Sequence, residues 1–135
     1  MLKVKTYLSE SPIESAGIGL FAAEFIPKGT IVWRIDTFID KLYTEEEYQS
    51  VSNPLYKEFL IKYCFMYKGL YVMCVDNARF FNHSDDPNCE SVNLNDDEMG
   101  VTVAKVDINI GDELTDDYNK FGSIDSDYEF NKMIL

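Results

Sequence analysis

Arg79-Phe80-Phe81-Asn82-His83-Ser84-Asp85-Asp86-Pro87-Asn88 is the stretch on which the reading of this chain turns. It contains the only histidine among 135 residues. Two aromatics precede a run of small polar side chains, and a proline closes the run. Asn, His and Ser offer donors and acceptors of different shape, and a neutral imidazole carries one of each. Set directly after Phe80-Phe81, these groups read as held against a core. Ser-Asp-Asp-Pro-Asn is also good turn material, so a strand end entering a turn accounts for the same residues. Local chemistry leaves both readings open, and the rest of the chain has to separate them.

The length suits one domain. A hydrophobic fraction of 46% and an aromatic fraction of 14% supply a core and exclude a disorder composition. Nine Tyr and nine Phe are many for this length, while Trp33 stands alone. Part of that excess suits a pocket wall, because Tyr joins an apolar face to a hydroxyl. Tyr63, Tyr67, Tyr71, Tyr118 and Tyr128 are candidates, with core packing as the alternative for each.

Twelve basic and twenty-four acidic residues leave a formal charge of -12. That balance argues against direct nucleic-acid binding, which needs a positive footprint. It suits a basic protein or peptide partner drawn in at long range. Cys64, Cys74 and Cys89 form no CxxC pair and have no histidine cluster beside them, so no metal set is expected. Reduced cysteines, no secretory leader and no bilayer-length apolar run give the expectation of an intracellular protein, cytoplasmic or nuclear, with no membrane partner.

In chain order, Leu2–Leu8 alternates as a strand, and Ser9-Glu10-Ser11-Pro12 is expected to break it. Gly17-Ile18-Gly19 permits a bend or a close backbone approach. It lacks the third glycine of a dinucleotide-binding loop. Ile31–Ile35 reads as a strand. Thr44 with Glu47 forms a capping box, predicting a helix over 45–52 that ends before Pro54. Residues 54–68 are ambiguous between a helix facing inward through Leu55, Phe59 and Tyr63 and an extended segment over 61–67. Leu70–Val75, Cys89–Leu94 and Val101–Val106 read as strands, with an acidic turn over 95–98. Short strands with frequent turns predict a compact, mostly β domain.

Three separated segments then agree. Gly17-Ile18-Gly19-Leu20-Phe21-Ala22 with Ile26-Pro27-Lys28-Gly29-Thr30-Ile31 resembles the first signature of the SET-domain protein-lysine methyltransferases. Arg79–Ser84 with Pro87-Asn88 resembles the second. Gly111-Asp112-Glu113-Leu114 with Asp117-Tyr118 resembles the last. The resemblance spans about residues 4–118. It implies a β-clip-like fold of several small sheets, short helices and a knot-like C-terminal crossing, with a SET domain over 1–118 and a tail over 119–135.

The resemblance also implies chemistry. S-adenosylmethionine would be the methyl donor and the side-chain amine of a protein lysine the acceptor. Gly17, Gly19 and Leu20 would hold the donor's methionine portion through backbone. Asn82 and His83 would contact the donor, and Arg79 would support the donor region or the knot. Tyr118 matches the tyrosine beside the transferring methyl. Its role would be orientation, since an ordinary phenol is a poor base at neutral pH. Tyr63 and Tyr67, in the family's variable insert, are candidates for the lysine channel.

Departures from the family pattern carry their own expectations. Asp85 replaces a cysteine that often joins a C-terminal zinc site, and no cysteine follows Cys89, so no zinc is expected. Tyr128 and Phe130 in the tail are candidates to cover the channel in place of that segment. Asp116 stands where an aromatic commonly lines the channel, which leaves the number of methyl groups open. The small size is compatible with a homodimer. A catalytically inactive SET domain that binds peptides is the competing reading, supported by Asp116 and opposed by the retained Tyr118.

Overall fold

The computed structural model describes residues 1–92 and 100–122. Its elements, in order, are β1 (Thr6–Glu10), β2 (Ile18–Ala22), β3 (Ile31–Arg34), β4 (Lys41–Tyr43), α1 (Glu45–Gln49), α2 (Pro54–Tyr63), β5 (Cys64–Tyr67), β6 (Leu70–Met73), a 3-10 turn (Asn77–Phe80), β7 (Asn82–His83), β8 (Cys89–Val92), β9 (Val101–Ala104), β10 (Thr115–Asp116) and α3 (Tyr118–Gly122). They make four small sheets, ordered β1-β2, β3-β9-β8, β4-β6-β5 and β10-β7. The last is a parallel pair, with Thr115 opposite Asn82 and Asp116 opposite His83. The mostly β expectation with short helices holds. Tyr128 and Phe130, the acidic turn over 95–98 and the end of the strand expected over 89–94 lie outside the described residues.

Boundaries moved where tertiary pairing overrode local signals. β1 continues through Ser9 and Glu10 because Glu10 pairs with Ile18 across an unbroken register. The break comes at Ser11, whose N–H bonds the Gly17 carbonyl at 2.8 Å. Gly17 takes φ +74°, which relieves the turn before β2. α1 starts as read: Glu47 N–H donates to Thr44 Oγ1 at 3.1 Å and Thr44 N–H donates to Glu47 Oε2 at 3.0 Å. It stops earlier than expected, at Gln49, since Ser50 Oγ donates to the Glu47 carbonyl and closes the last turn. α2 resolves the ambiguous stretch. Asn53 Oδ1 accepts from Leu55 and Tyr56 N–H, and Pro54 sits in the first turn where its missing donor is harmless. Leu55 and Phe59 face outward, and Leu60 is the residue that packs inside.

Two cores result. Leu20, Ala22, Ile26, Val32, Cys89, Ala104, Ile108 and Leu114 join β2, β3, β8 and β9 to the C-terminal segment. Tyr48, Leu60, Cys64, Met66, Tyr71 and Met73 join α1 and α2 to the β5–β6 hairpin. Trp33, Cys74 and Ala78 bridge them. The space between the two cores is where the site lies. No helix among the described residues is long and apolar enough to cross a membrane.

Candidate active site

The chain from Gly111 to Tyr118 runs between two earlier segments. On one side Gly111 N–H bonds the Ala22 carbonyl at 2.9 Å and Leu114 N–H bonds the Leu20 carbonyl at 2.7 Å. On the other, β10 pairs with β7, and Ser84 N–H bonds the Asp116 carbonyl at 3.1 Å. Asn88 clamps the passage. Its Nδ2 donates to the Glu113 carbonyl at 2.8 Å and its Oδ1 accepts from Thr115 N–H at 3.0 Å. One side-chain amide thereby supplies the peptide-like pairing that a strand would otherwise provide.

Glu113 is the hub of the crossing. Asn82 Nδ2 donates to its Oε1 at 2.8 Å and to the Ile18 carbonyl at 3.1 Å, while Ser11 Oγ donates to its Oε2 at 2.9 Å. A Cβ on Gly19 would collide with this carboxylate. Glycine at 19 therefore makes room for Glu113. Both amide protons of Asn82 are engaged internally, and its backbone lies in the β7–β10 pair. Leu20 is fully buried in the first core. Its side chain supports the site from beneath, packed in that core.

His83 is the second joint. Its Nδ1 accepts from Tyr118 N–H at 3.1 Å, and its Nε2 lies 3.0 Å from Asp85 Oδ1. Those bonds select the neutral tautomer with its proton on Nε2. Asp117 Oδ1 accepts from Asn119 N–H and lies 3.7 Å from His83 Nδ1. The lone histidine thus sets the start of α3, and with it the position of Tyr118.

Tyr118 turns its hydroxyl inward to donate to the Phe81 carbonyl. Burial, reinforced by the negative Asp116 and Glu113, pushes its phenol above the ordinary value. At neutral pH it is a donor, not a base. Beside it, Asp116 is only 4% exposed. Asp116 Oδ1 accepts from Asp117 N–H at 2.7 Å and Oδ2 accepts from Ser91 Oγ at 3.0 Å. Burial outweighs both donors and pushes its carboxyl up to about 7.

A cavity of about 100 Å³ brings Tyr63, Tyr67, Asp116 and Tyr118 together, with Trp33, Phe65, Phe81 and Arg79 also in its wall. Tyr67 is held by close approach, since a Cβ on Gly100 would stand 3.0 Å from its ring. Arg79 lies on this wall. Its guanidinium stacks 5.0 Å from the Phe80 ring and 5.7 Å from that of Tyr63. Its Nε and the Trp33 Nε1 are buried without hydrogen-bond partners among the described residues. Tyr71, also a pocket candidate, belongs instead to the second core, where it stacks on Tyr48 at 4.1 Å.

Sequence reasoning names Asn88 and Glu113 as members of the signatures but not the bonds that make one a clamp and the other a hub, and it misses the Phe81 carbonyl. A small polar residue after a proline is an ordinary turn signal, and a backbone carbonyl leaves no signal at all. Cys64, Cys74 and Cys89 are buried free thiols. Burial pushes Cys64 and Cys89 up to about 12.

Outside the crossing, Gly17 is exposed and nothing lies within 4 Å of where its Cβ would stand. Ile18 beside it is 46% exposed. This exposed edge is tied to Asn82 through the Ile18 carbonyl and to Ser11 through the Gly17 carbonyl.

A small-sheet fold with a laced C-terminal segment, and an inward tyrosine at an aromatic cavity, defines a class before any comparison is made. The SET domain family model matches residues 17–119. The chain belongs to that family. It is 34% identical over 125 residues to the histone-lysine N-methyltransferase, H3 lysine-36 specific, of Schizosaccharomyces pombe, covering 87% of this chain and 15% of that protein. It is 33% identical over 100 residues to the histone-lysine N-methyltransferase ash1 of Drosophila melanogaster, covering 70% of this chain and 4% of that one. The chain therefore spans a small fraction of the curated relatives it matches. Among solved structures, it is similar to Chaetomium thermophilum Polycomb Repressive Complex 2 in an autoinhibited conformation bound to S-adenosylmethionine. That match has a TM-score of 0.64 and 25% identity, covering 90% of this chain and 16% of that one. A candidate histone methyltransferase from Plasmodium falciparum shares the fold, with a TM-score of 0.61 at 22% identity, covering 87% of this chain and 95% of that one.

Proposed function

We propose that this domain transfers methyl groups from S-adenosylmethionine to the side-chain amine of a lysine in a basic, histone-like protein. The observation that carries the reading is the cavity at whose wall the Tyr118 hydroxyl, Asp116, Tyr63 and Tyr67 converge. The exposed Gly17–Ile18 edge, joined to Asn82 through the Ile18 carbonyl, is the surface at which the donor would bind. When bound, the donor supplies an electrophilic methyl on a sulfonium. The protein's own residues do the rest.

A lysine side chain entering the cavity loses water, and desolvation lowers the proton affinity of its amine. Rings of Tyr63 and Tyr67 hold the cationic form during entry through their faces. The Tyr118 hydroxyl and the Phe81 carbonyl, already joined, form a fixed polar point at which the amine is oriented. Alignment of this kind is a proximity effect and requires no covalent intermediate. The formal charge of -12 favours encounter with cationic segments. The named relatives favour a site of action at chromatin.

Calorimetry with S-adenosylmethionine, followed by labelled-methyl transfer to a panel of basic proteins, tests the reading. Donor binding and label on lysine are expected, and absence of both removes it. Asp116 in place of an aromatic favours one second reading, a peptide-binding SET domain without turnover. Donor and peptide binding with no transfer across the panel would select that reading.

A further inference from the structure

We propose that Asp116 accepts the proton of an alkylammonium group entering the cavity, supplying the base that Tyr118 cannot. The inference rests on the lysine-methylation reading for its role in turnover, and on the cavity alone for binding.

The carboxylate lies in the wall of a cavity it shares with Tyr63, Tyr67, Arg79 and Tyr118. Two neutral donors, Ser91 Oγ and Asp117 N–H, satisfy one lone pair on each of its oxygens. No cation among the described residues pairs with it, whereas Asp40 lies 3.5 Å from the Met1 amino group and Asp85 and Asp117 face His83. A buried carboxylate without a counter-ion is expensive, and so is a buried ammonium. Each removes the other's penalty, first as an ion pair and then by proton transfer.

The groups around Asp116 support that direction. Asp117 on the same segment and Glu90 on β8 repel its negative form, which strengthens its hold on a proton. Cys89, also on β8, is a buried neutral thiol. His83, opposite on β7, is committed to Tyr118 N–H and Asp85. On the cavity wall, Lys62 Nζ lies 5.3 Å from the Tyr63 ring centroid, and the Arg79 guanidinium faces Phe80 and Tyr63. The step balances as follows. The ammonium N–H bond breaks and an Asp116 O–H bond forms, leaving a neutral amine. The amine's lone pair forms the N–C bond as the donor's S–C bond breaks with its electrons on sulfur. The product is a methylammonium and a neutral thioether, and Asp116 returns its proton to water as product leaves.

The test has two arms. In the first, n-butylammonium chloride is titrated into the protein with carbon-13-labelled aspartate carboxyls, between pH 5.5 and 8.5. The Asp116 resonance is expected to shift with added ammonium, and affinity is expected to fall about tenfold from the alkaline to the acid end. Asp116→Asn, which keeps the side chain's shape, should abolish that pH dependence. In the second arm, methyl transfer to a lysine peptide is followed against pH. Wild-type rate should level off above neutrality. The variant should be slower by about 10²-fold near neutral pH and keep rising as free amine accumulates. An unmoved Asp116 resonance, or an unchanged rate profile in the variant, overturns the proposal. Should the variant not fold, the wild-type resonance decides alone. A shifting resonance without methyl transfer to any substrate instead defeats the methylation reading and leaves the ammonium site standing.

Discussion

The crossing of β7 and β10 is built on Asn82, Asn88 and Glu113, whereas residues 41–73 are built on rings. In the crossing, side-chain amides and a carboxylate replace missing strand partners, and each bond has a defined direction. In the second region Tyr48 stacks on Tyr71 at an interplanar angle of 11°, Lys57 caps the Tyr48 ring at 4.3 Å, and Tyr71 anchors to Glu45 at 2.6 Å. Hydrogen bonds fix geometry to fractions of an ångström but lose most of their value if one partner is removed. Ring packing supplies free energy with looser geometry. The contrast assigns positioning of Tyr118 to the crossing, and the shape of the cavity wall to the aromatic region.

The sharpest test of that division is Tyr48→Ala, which should cost about 3–5 kcal/mol in urea unfolding by leaving a void under Tyr71. A loss below about 1 kcal/mol would break the claim that stacking carries this region. Asn88→Ala should cost about 2–4 kcal/mol, since it orphans the Thr115 N–H and the Glu113 carbonyl. It should also loosen donor binding more than Tyr48→Ala does, as read by calorimetry on the folded fraction. Tyr118→Phe should lower methyl transfer by about 10²-fold with donor affinity preserved, because it removes one oriented dipole.

A smaller, pH-dependent effect sharpens the comparison at the seam between the two regions. Asp116 has its folded value raised to about 7 from 3.8, so the folded state holds the extra proton between those values. Stability contributed by that proton is present in acid and is lost as pH rises through 7. Urea unfolding of wild type and Asp116→Asn should therefore diverge in favour of the variant from pH 4 to 8. The smallest expected change is Thr44→Ala, which removes the α1 cap and should cost about 1 kcal/mol.

What local chemistry made legible was the punctuation and the signatures. Thr44 and Glu47 announced α1 because a capping box is satisfied within four residues. Gly17 and the segments at 79–84 and 111–118 announced the family because their roles depend on residue type at short spacing. The ambiguity over 54–68 came from a genuine competition. Helix periodicity and β-branched or aromatic content overlap there, and pairing of Phe65 with Val72 decided where the helix stops. Leu55 and Phe59 misled because an apolar side chain on a surface helix has no local mark of exposure.

The amino-acid sequence by itself determined the small-sheet class, the cap of α1, the charge balance and the identity of the residues that meet in the crossing. Only the tertiary structure decided which partners they take. It made Gly19 a space for the Glu113 carboxylate, gave His83 to Tyr118 N–H, set Arg79 beside Tyr63, and buried Asp116 in the cavity wall. Those contacts join residues far apart in the chain, and burial depends on all of them at once. No spacing rule within one segment encodes a carboxylate's loss of water, and that loss is what pushes the Asp116 carboxyl above its ordinary value.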